Sequence, residues 1–220
     1  MDHFDLRSGE LWCEDVPLKA IAEGAGTPVY VYSTATMVRH AEVMQAEVAG
    51  CGGGEPLVAY AVKANPNPAV LATLARAGLG ADVVSIGEYA KARASGVPAE
   101  RIVFSGVGKT EAEMAAALAG GLLQFNVESV EEARTLSAVA SSMGAVAPMG
   151  FRINPNVAAG THAKITTGTA DNKFGIAATE ALDAYREAAS LPGLQITGIT
   201  LHIGSQLMSL APLEAAFVRL

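Results

Sequence analysis

Leu57-Val58-Ala59-Tyr60-Ala61-Val62-Lys63 is an apolar run that ends in a lysine, and Ala64-Asn65-Pro66-Asn67-Pro68 follows it directly. A run of this character, closed by a turn holding two prolines, predicts a buried strand with Lys63 at its carboxyl end. An amine in that position is expected to be partly desolvated. Desolvation lowers the cost of the neutral, nucleophilic form that condenses with carbonyls. The competing account is a lysine that only carries the strand tip into solvent. The sequence on either side decides between them.

From Pro28 onward, short Val- and Ile-rich runs alternate with longer alanine-rich segments of helical period, which predicts a parallel sheet wrapped by helices. Strands are expected at 57–63, 80–85, 101–105, 123–127, 149–154 and 197–202, giving about six β/α units. Ser85 with Glu88, and Ser129 with Glu132, have the spacing of capping boxes. Gly78 and Gly96 stand where left-handed helix stops are expected. Gly50, Gly52, Gly53 and Gly54 lie between a helix and the lysine strand. A phosphate-binding loop would follow a strand and open a helix, so these glycines read as a flexible connection. No glycine fingerprint follows the first strand, and a barrel is therefore favoured over an open doubly wound sheet. In a barrel, Lys63, Asp82, Ser85, Asn126, Arg152 and His202 would meet at one mouth, the carboxyl ends of the strands.

Composition narrows the function classes. The 220 residues are 50% hydrophobic, enough for a large core. A net charge of −7 without any Lys/Arg cluster offers no field for a phosphate backbone, so no nucleic-acid partner is expected. Cys13 and Cys51 have no metal-ligand spacing and are too few for a disulfide framework, which predicts reduced, non-catalytic thiols and no metal site. The N-terminus is acidic where a secretory signal would carry lysines, and no apolar run reaches membrane-spanning length. A cytoplasmic protein without membrane contact is the expectation.

Seven motifs in one order then carry a family resemblance. They are Tyr60-Ala61-Val62-Lys63-Ala64-Asn65, Gly80-Ala81-Asp82-Val83-Val84-Ser85 with Gly87-Glu88, Arg101-Ile102-Val103-Phe104-Ser105-Gly106, Phe125-Asn126-Val127-Glu128-Ser129, Phe151-Arg152-Ile153-Asn154-Pro155, Asn172-Lys173-Phe174-Gly175-Ile176 and Leu201-His202-Ile203-Gly204-Ser205-Gln206. The chain resembles the alanine-racemase-like, fold-type III pyridoxal phosphate decarboxylases. Ser205-Gln206, with Thr161-His162 and the threonines before Lys173-Phe174-Gly175, is similar to the diaminopimelate branch more than to the ornithine branch.

That resemblance implies an α/β fold, a pyridoxal 5'-phosphate-binding (β/α)8 TIM-like barrel that is incomplete in this chain. It implies decarboxylation of meso-2,6-diaminopimelate to L-lysine, the last step of lysine biosynthesis, by a full-length homodimeric parent acting on a small amino acid. Lys63 matches the lysine that holds the cofactor covalently, and His202 the ring that packs against the pyridine; these are the expected catalytic residues. Asp82, Arg152 and Ser205 complete the expected cofactor-binding set, Asp82 near the lysine, Arg152 near the ring and Ser205 near the phosphate. Ion pairing between strands is the rival account of Asp82 and Arg152. Asn65, Asn126 and Glu128 are explained about as well by turns and caps and are left out of the set. His162 and Lys164 fall on a long polar excursion, 156–173, with the character of an active-site lid.

The resemblance also implies a division into residues 1–27, a segment that packs with a C-terminal β-domain in relatives, and residues 28–220, a partial barrel. The sequence stops at Leu220 inside an apparent helix, and relatives continue for roughly as long again. A fragment lacking the phosphate cradle and substrate-reading groups is expected to be inactive alone. The alternatives are an ornithine, arginine or carboxynorspermidine decarboxylase of the same fold, or a non-catalytic pyridoxal phosphate-binding protein. Gly204-Ser205-Gln206 disfavours a racemase.

Overall fold

Short apolar runs set the strands, and the polar residues between them set where each strand stops. The structure, a computed structural model, describes residues 3–51, 54–157 and 174–220. It comprises two units, Met1–Ala81 with Lys91–Val97, and Asp82–Ala90 with Pro98–Leu220.

The first unit begins with an antiparallel sheet that the alternating β/α rhythm did not predict. Its strands are β1 (Phe4–Arg7), β2 (Glu10–Cys13) and β3 (Val16–Pro17). The overlooked signal is Ser8-Gly9 between two alternating runs. Both residues have positive φ, 52° and 84°, as a two-residue hairpin turn demands. Helices α1 (Leu18–Ala25) and α2 (Thr34–Ala49) follow, then β4 (Ala59–Ala61) and α3 (Pro68–Arg76). Ala41 of α2 packs with Val70 and Leu74 of α3 and with Leu79, and Val58 and Tyr60 close the same cluster. Glu14 ties the hairpin to the start of α2. Its carboxylate accepts from the Ser33 hydroxyl at 2.7 Å and the Ala35 N–H at 2.8 Å.

The second unit takes in the end of β5 (Gly80–Val83), then β6 (Ile102–Phe104), β7 (Gln124–Val127), β8 (Ala147–Asn154), the short β9 (Ile176–Ala177) and β10 (Leu194–Leu201). Strands β5 to β8 are neighbours in sequence order, and β8 pairs with both β10 and β9. The pairs β6–β7, β7–β8, β8–β9 and β8–β10 are parallel. Central β8 is buried along most of its length, as a parallel strand covered on both faces should be. Phe104, Phe125 and Phe151 are fully buried on β6, β7 and β8, with the Phe104 and Phe125 rings stacked at 6.1 Å. Tyr185 meets Phe151 edge-on at 5.1 Å.

Along the chain, β4 to β8 and β10 are each followed by a helix, α3 and then α4 (Ile86–Ala94), α5 (Glu111–Ala119), α6 (Val130–Ser142), α7 (Ala181–Ser190) and α8 (Ala211–Val218). This is the expected succession of six β/α steps. Gly78 and Gly96 have the positive φ expected of helix stops. The two predicted capping boxes are only half formed. Ser85 and Ser129 accept from the N–H of Glu88 and Glu132 as expected. The glutamates, however, reach past the cap to the N–H of Val84 and Glu128. A complete box forms instead at Thr110 and Glu113.

Hydrogen bonding holds the Glu14 and Glu113 carboxyls below the usual carboxylate range, led by Ser33 at Glu14 and by the Thr110 N–H at Glu113. Both sites bind a proton less readily folded than unfolded. Their stabilisation is therefore present above the ordinary glutamate pKa of about 4.3 and is lost as pH falls below it. We expect the urea midpoint to drop between pH 6 and pH 3.5, and to drop less in a Glu14→Gln/Glu113→Gln variant. An identical decline in both proteins would show that these carboxylates carry none of the acid sensitivity.

Candidate active site

The chain leaves β4 at Ala61 and makes one 3-10 turn, Val62–Ala64. Val62 is fully buried and Lys63 is exposed. This corrects the expectation of a strand running to Lys63 with a desolvated amine. Strand geometry ends two residues early, and Val62 takes the buried place. Asn65 accepts from the Asn67 N–H at 3.1 Å, and Asn67 caps α3 by accepting from Ala69 at 2.9 Å, with Pro68 in the first turn. Lys63 thus stands on a stiff strand-to-helix turn. Among the described residues its amine has no hydrogen-bond or ion-pair partner to compete with an incoming carbonyl.

In the second unit, alternation sorts the side chains. Val83, Phe104, Phe125 and Phe151 are buried on one side, and the intervening residues Asp82, Ser105, Asn126 and Arg152 come at the carboxyl ends of neighbouring strands. Asp82 is half-buried and accepts from the Ser105 hydroxyl at 2.6 Å. Ser105 in turn accepts from Asn126 Nδ2 at 2.8 Å. Asn126, left out of the expected set, is therefore joined to an expected member of it.

Arg152 pairs with Glu128 at 3.0 Å, and both side chains are largely buried. The guanidinium also lies over the Phe174 ring, 5.1 Å from its centroid. Glu128 Oε2 accepts from the Gly175 N–H at 2.9 Å, so one carboxylate joins β8 to the backbone entering β9. Interstrand ion pairing, the rival account of Arg152, is present, and its partner is the glutamate that looked like a cap. Gly175 is required here. Its φ is +74°, and an added Cβ would lie 2.6 Å from Arg152 O. Gly175→Ala should lower stability by about 2–4 kcal/mol by forcing the Arg152–Glu128 pair apart. The urea midpoint reads this directly, and a loss under about 1 kcal/mol would show that the turn relaxes freely.

Lys109 escaped the sequence reading, although its position in Gly106-Val107-Gly108-Lys109 after a strand was visible. It donates to Gly106 O at 2.6 Å, Asn126 O at 2.8 Å and Glu132 Oε1 at 2.7 Å. Burial pushes the Glu132 carboxyl up, while the Lys109 cation pulls it the other way.

His202 follows β10 directly and is half-buried, and Ser205 is exposed beyond Gly204. Ser85 belongs to the cap of α4. Most of segment 156–173, with His162 and Lys164, lies outside the described residues. Cys13 is buried, Cys51 is exposed and both are free thiols. Among the described residues no group of three or more His, Cys, Asp or Glu side chains could hold a metal ion. No helix among them is long and apolar enough to cross a membrane.

The family model described as pyridoxal-dependent decarboxylase, pyridoxal binding domain, matches residues 34–220. Diaminopimelate decarboxylase from Zymomonas mobilis subsp. mobilis is 55% identical over 99% of this chain and 52% of that protein. The Vibrio cholerae diaminopimelate decarboxylase is 51% identical over 100% of the chain and 52% of its own length. Among solved structures, diaminopimelate decarboxylase from Helicobacter pylori complexed with L-lysine superposes with a TM-score of 0.85 at 39% identity, covering 90% of this chain and 50% of that one. The chain spans about half the length of the curated relatives it matches.

Proposed function

Because the chain belongs to the pyridoxal-dependent decarboxylases through their pyridoxal binding domain, we propose that it is the cofactor-binding part of an enzyme converting meso-2,6-diaminopimelate to L-lysine and CO2. The observation that carries this reading is sequence identity of 55% and 51% to diaminopimelate decarboxylases along essentially the whole chain.

The residues fit pyridoxal 5'-phosphate on chemical grounds. Lys63 offers an exposed amine without a partner among the described residues, which suits an aldehyde. Ser205 offers an exposed hydroxyl beyond Gly204, which suits an anion. In this reading Lys63 would hold the cofactor, His202 would lie along its ring and Ser205 would donate to its phosphate. Asp82 and Arg152 would be the charges beside it. Bound pyridoxal phosphate supplies the electron sink for the pair left behind by CO2. Lys63 would be the amine that holds the cofactor and gives it up to substrate. Asp82, held by Ser105, keeps a fixed acceptor on β5, and Arg152, held by Glu128, keeps a fixed cation on β8. The reading extends to a cytoplasmic homodimer, with residues 1–27 packing on a further β-domain and residues 28–220 forming the cofactor-binding barrel portion.

The test is CO2 release by the complete polypeptide with pyridoxal phosphate and each of meso-diaminopimelate, ornithine, arginine and carboxynorspermidine. Preference for meso-diaminopimelate, abolished without cofactor, is expected. Preference for another of the four would move the chain to a sister activity. Cofactor binding without turnover of any would make it a binding protein.

A further inference from the structure

Five polar side chains are joined end to end in the second unit, from β10 back to β5. Thr197 Oγ1 lies 2.8 Å from Gln124 Oε1, Gln124 Nε2 donates to Asn126 Oδ1 at 2.8 Å, Asn126 Nδ2 donates to Ser105 Oγ at 2.8 Å, and Ser105 Oγ donates to Asp82 Oδ1 at 2.6 Å. From Gln124 onward every donor points toward Asp82; the single Thr197 proton is shared between Gln124 Oε1 and Met149 O, the latter at 3.2 Å. The Ser105 hydroxyl has a single proton and already accepts from Asn126, so that proton is committed to Asp82, whose Oδ1 must accept. Aligned bonds of this kind polarise one another, and the end of the series is the strongest point for a negative charge.

The backbone is shaped around this row. Between the pairs Ile196–Met149 and Gly198–Gly150, Thr197 is an extra residue in β10, a bulge that turns its hydroxyl toward Gln124. The Tyr185 hydroxyl occupies the ladder gap at the bulge, accepting from Phe151 N–H at 3.1 Å and donating to Gly198 O at 2.8 Å. Gly150 leaves room on β8. An added Cβ there would lie 2.6 Å from Gly198 O and 3.1 Å from Gln124 Nε2. A bulge, a glycine and a half-buried tyrosine all border a polar row that the apolar core does not need.

We propose that Ser105 and Asn126, backed by Gln124 and Thr197, are positioning residues that hold the Asp82 carboxylate ionised and in one rotamer for the bound cofactor. This rests on the cofactor reading above. None of these four need touch the cofactor; they act through Asp82.

The experiment uses the complete polypeptide, titrated with pyridoxal phosphate and followed by the visible absorbance of its link to Lys63. Ser105→Ala and Asn126→Leu should weaken binding about tenfold and change the ratio of the two visible bands at fixed pH. Ser105→Thr should restore both to within about twofold, because the hydroxyl returns. Thr197→Val, at the far end, should shift them in the same direction by less. Melting of the cofactor-free proteins is the control. Parent-like affinity and band ratio in Ser105→Ala and Asn126→Leu would overturn the proposal. So would a loss that Ser105→Thr leaves unrepaired and that follows the melting temperature. A parent without any Lys63-dependent band would sink the cofactor reading and this one together, whereas a parent with the band and unresponsive variants sinks this one alone.

Discussion

Replacing Lys63 by alanine in the complete polypeptide should remove the visible absorbance that pyridoxal phosphate gains on binding and lower turnover of meso-diaminopimelate by about 10³-fold or more. Lys63→Arg should do the same. A guanidinium keeps the charge but does not lose its proton at neutral pH, so it has no free pair to offer a carbonyl. The fold should barely respond. Lys63 is exposed and has no partner among the described residues, so the urea midpoint should stay within the equivalent of about 0.5 kcal/mol. That separation distinguishes a chemical role from a structural one. Unchanged absorbance in Lys63→Ala would mean that another amine, or none, holds the cofactor.

Lys109→Met is the substitution with the largest expected effect on stability, a loss of about 3–5 kcal/mol. The Lys109 side chain is 1% exposed and Glu132 11%, and the ammonium spends all three protons on Gly106 O, Asn126 O and Glu132. Methionine of similar length fills the space but leaves Glu132 and two carbonyls without their donor. Most of the loss is the cost of that stranded carboxylate. Lys109→Met/Glu132→Gln should therefore recover a measurable part of it, since the amide keeps an acceptor for the Glu128 N–H. The pH dependence has a definite sign. Burial raises the Glu132 pKa, and removing Lys109 removes the pull that opposed it. A carboxyl with a raised folded pKa costs stability as pH rises above the ordinary glutamate range, so the penalty should be larger at pH 7 than at pH 4.5. Urea unfolding at the two pH values reads it. Equal penalties would mean that Glu132 titrates alike in the folded and unfolded chains.

The two substitutions probe different layers of what was readable. Lys63 could be singled out because a charged residue closing an apolar run, ahead of a proline turn, stands out locally. Asp82, Arg152 and His202 lie in or next to runs with strand character, and the family resemblance alone suggested roles for them beside a cofactor. Lys109 and Glu132 are 23 residues apart; Glu132 had the spacing of a cap partner for Ser129, and nothing near either residue pointed to the other. Glu128 had the spacing of a helix cap, and nothing nearby in sequence indicated that Arg152 would claim it. The Ser8-Gly9 hairpin, by contrast, was locally encoded and was masked by attention to the longer β/α rhythm.

Periodicity and punctuation were sufficient for the six β/α steps and their order, because each of those depends on neighbours within one or two turns of chain. Which charges neutralise each other, which amides line up behind Asp82, and whether Lys63 is buried or open depended on strands being brought side by side. The Thr197 bulge and the space at Gly150 exist only in that packed arrangement. A hydrogen bond between residues 124 and 197 is invisible until β8 lies between them, since sequence distance says nothing about which side chains a sheet makes adjacent.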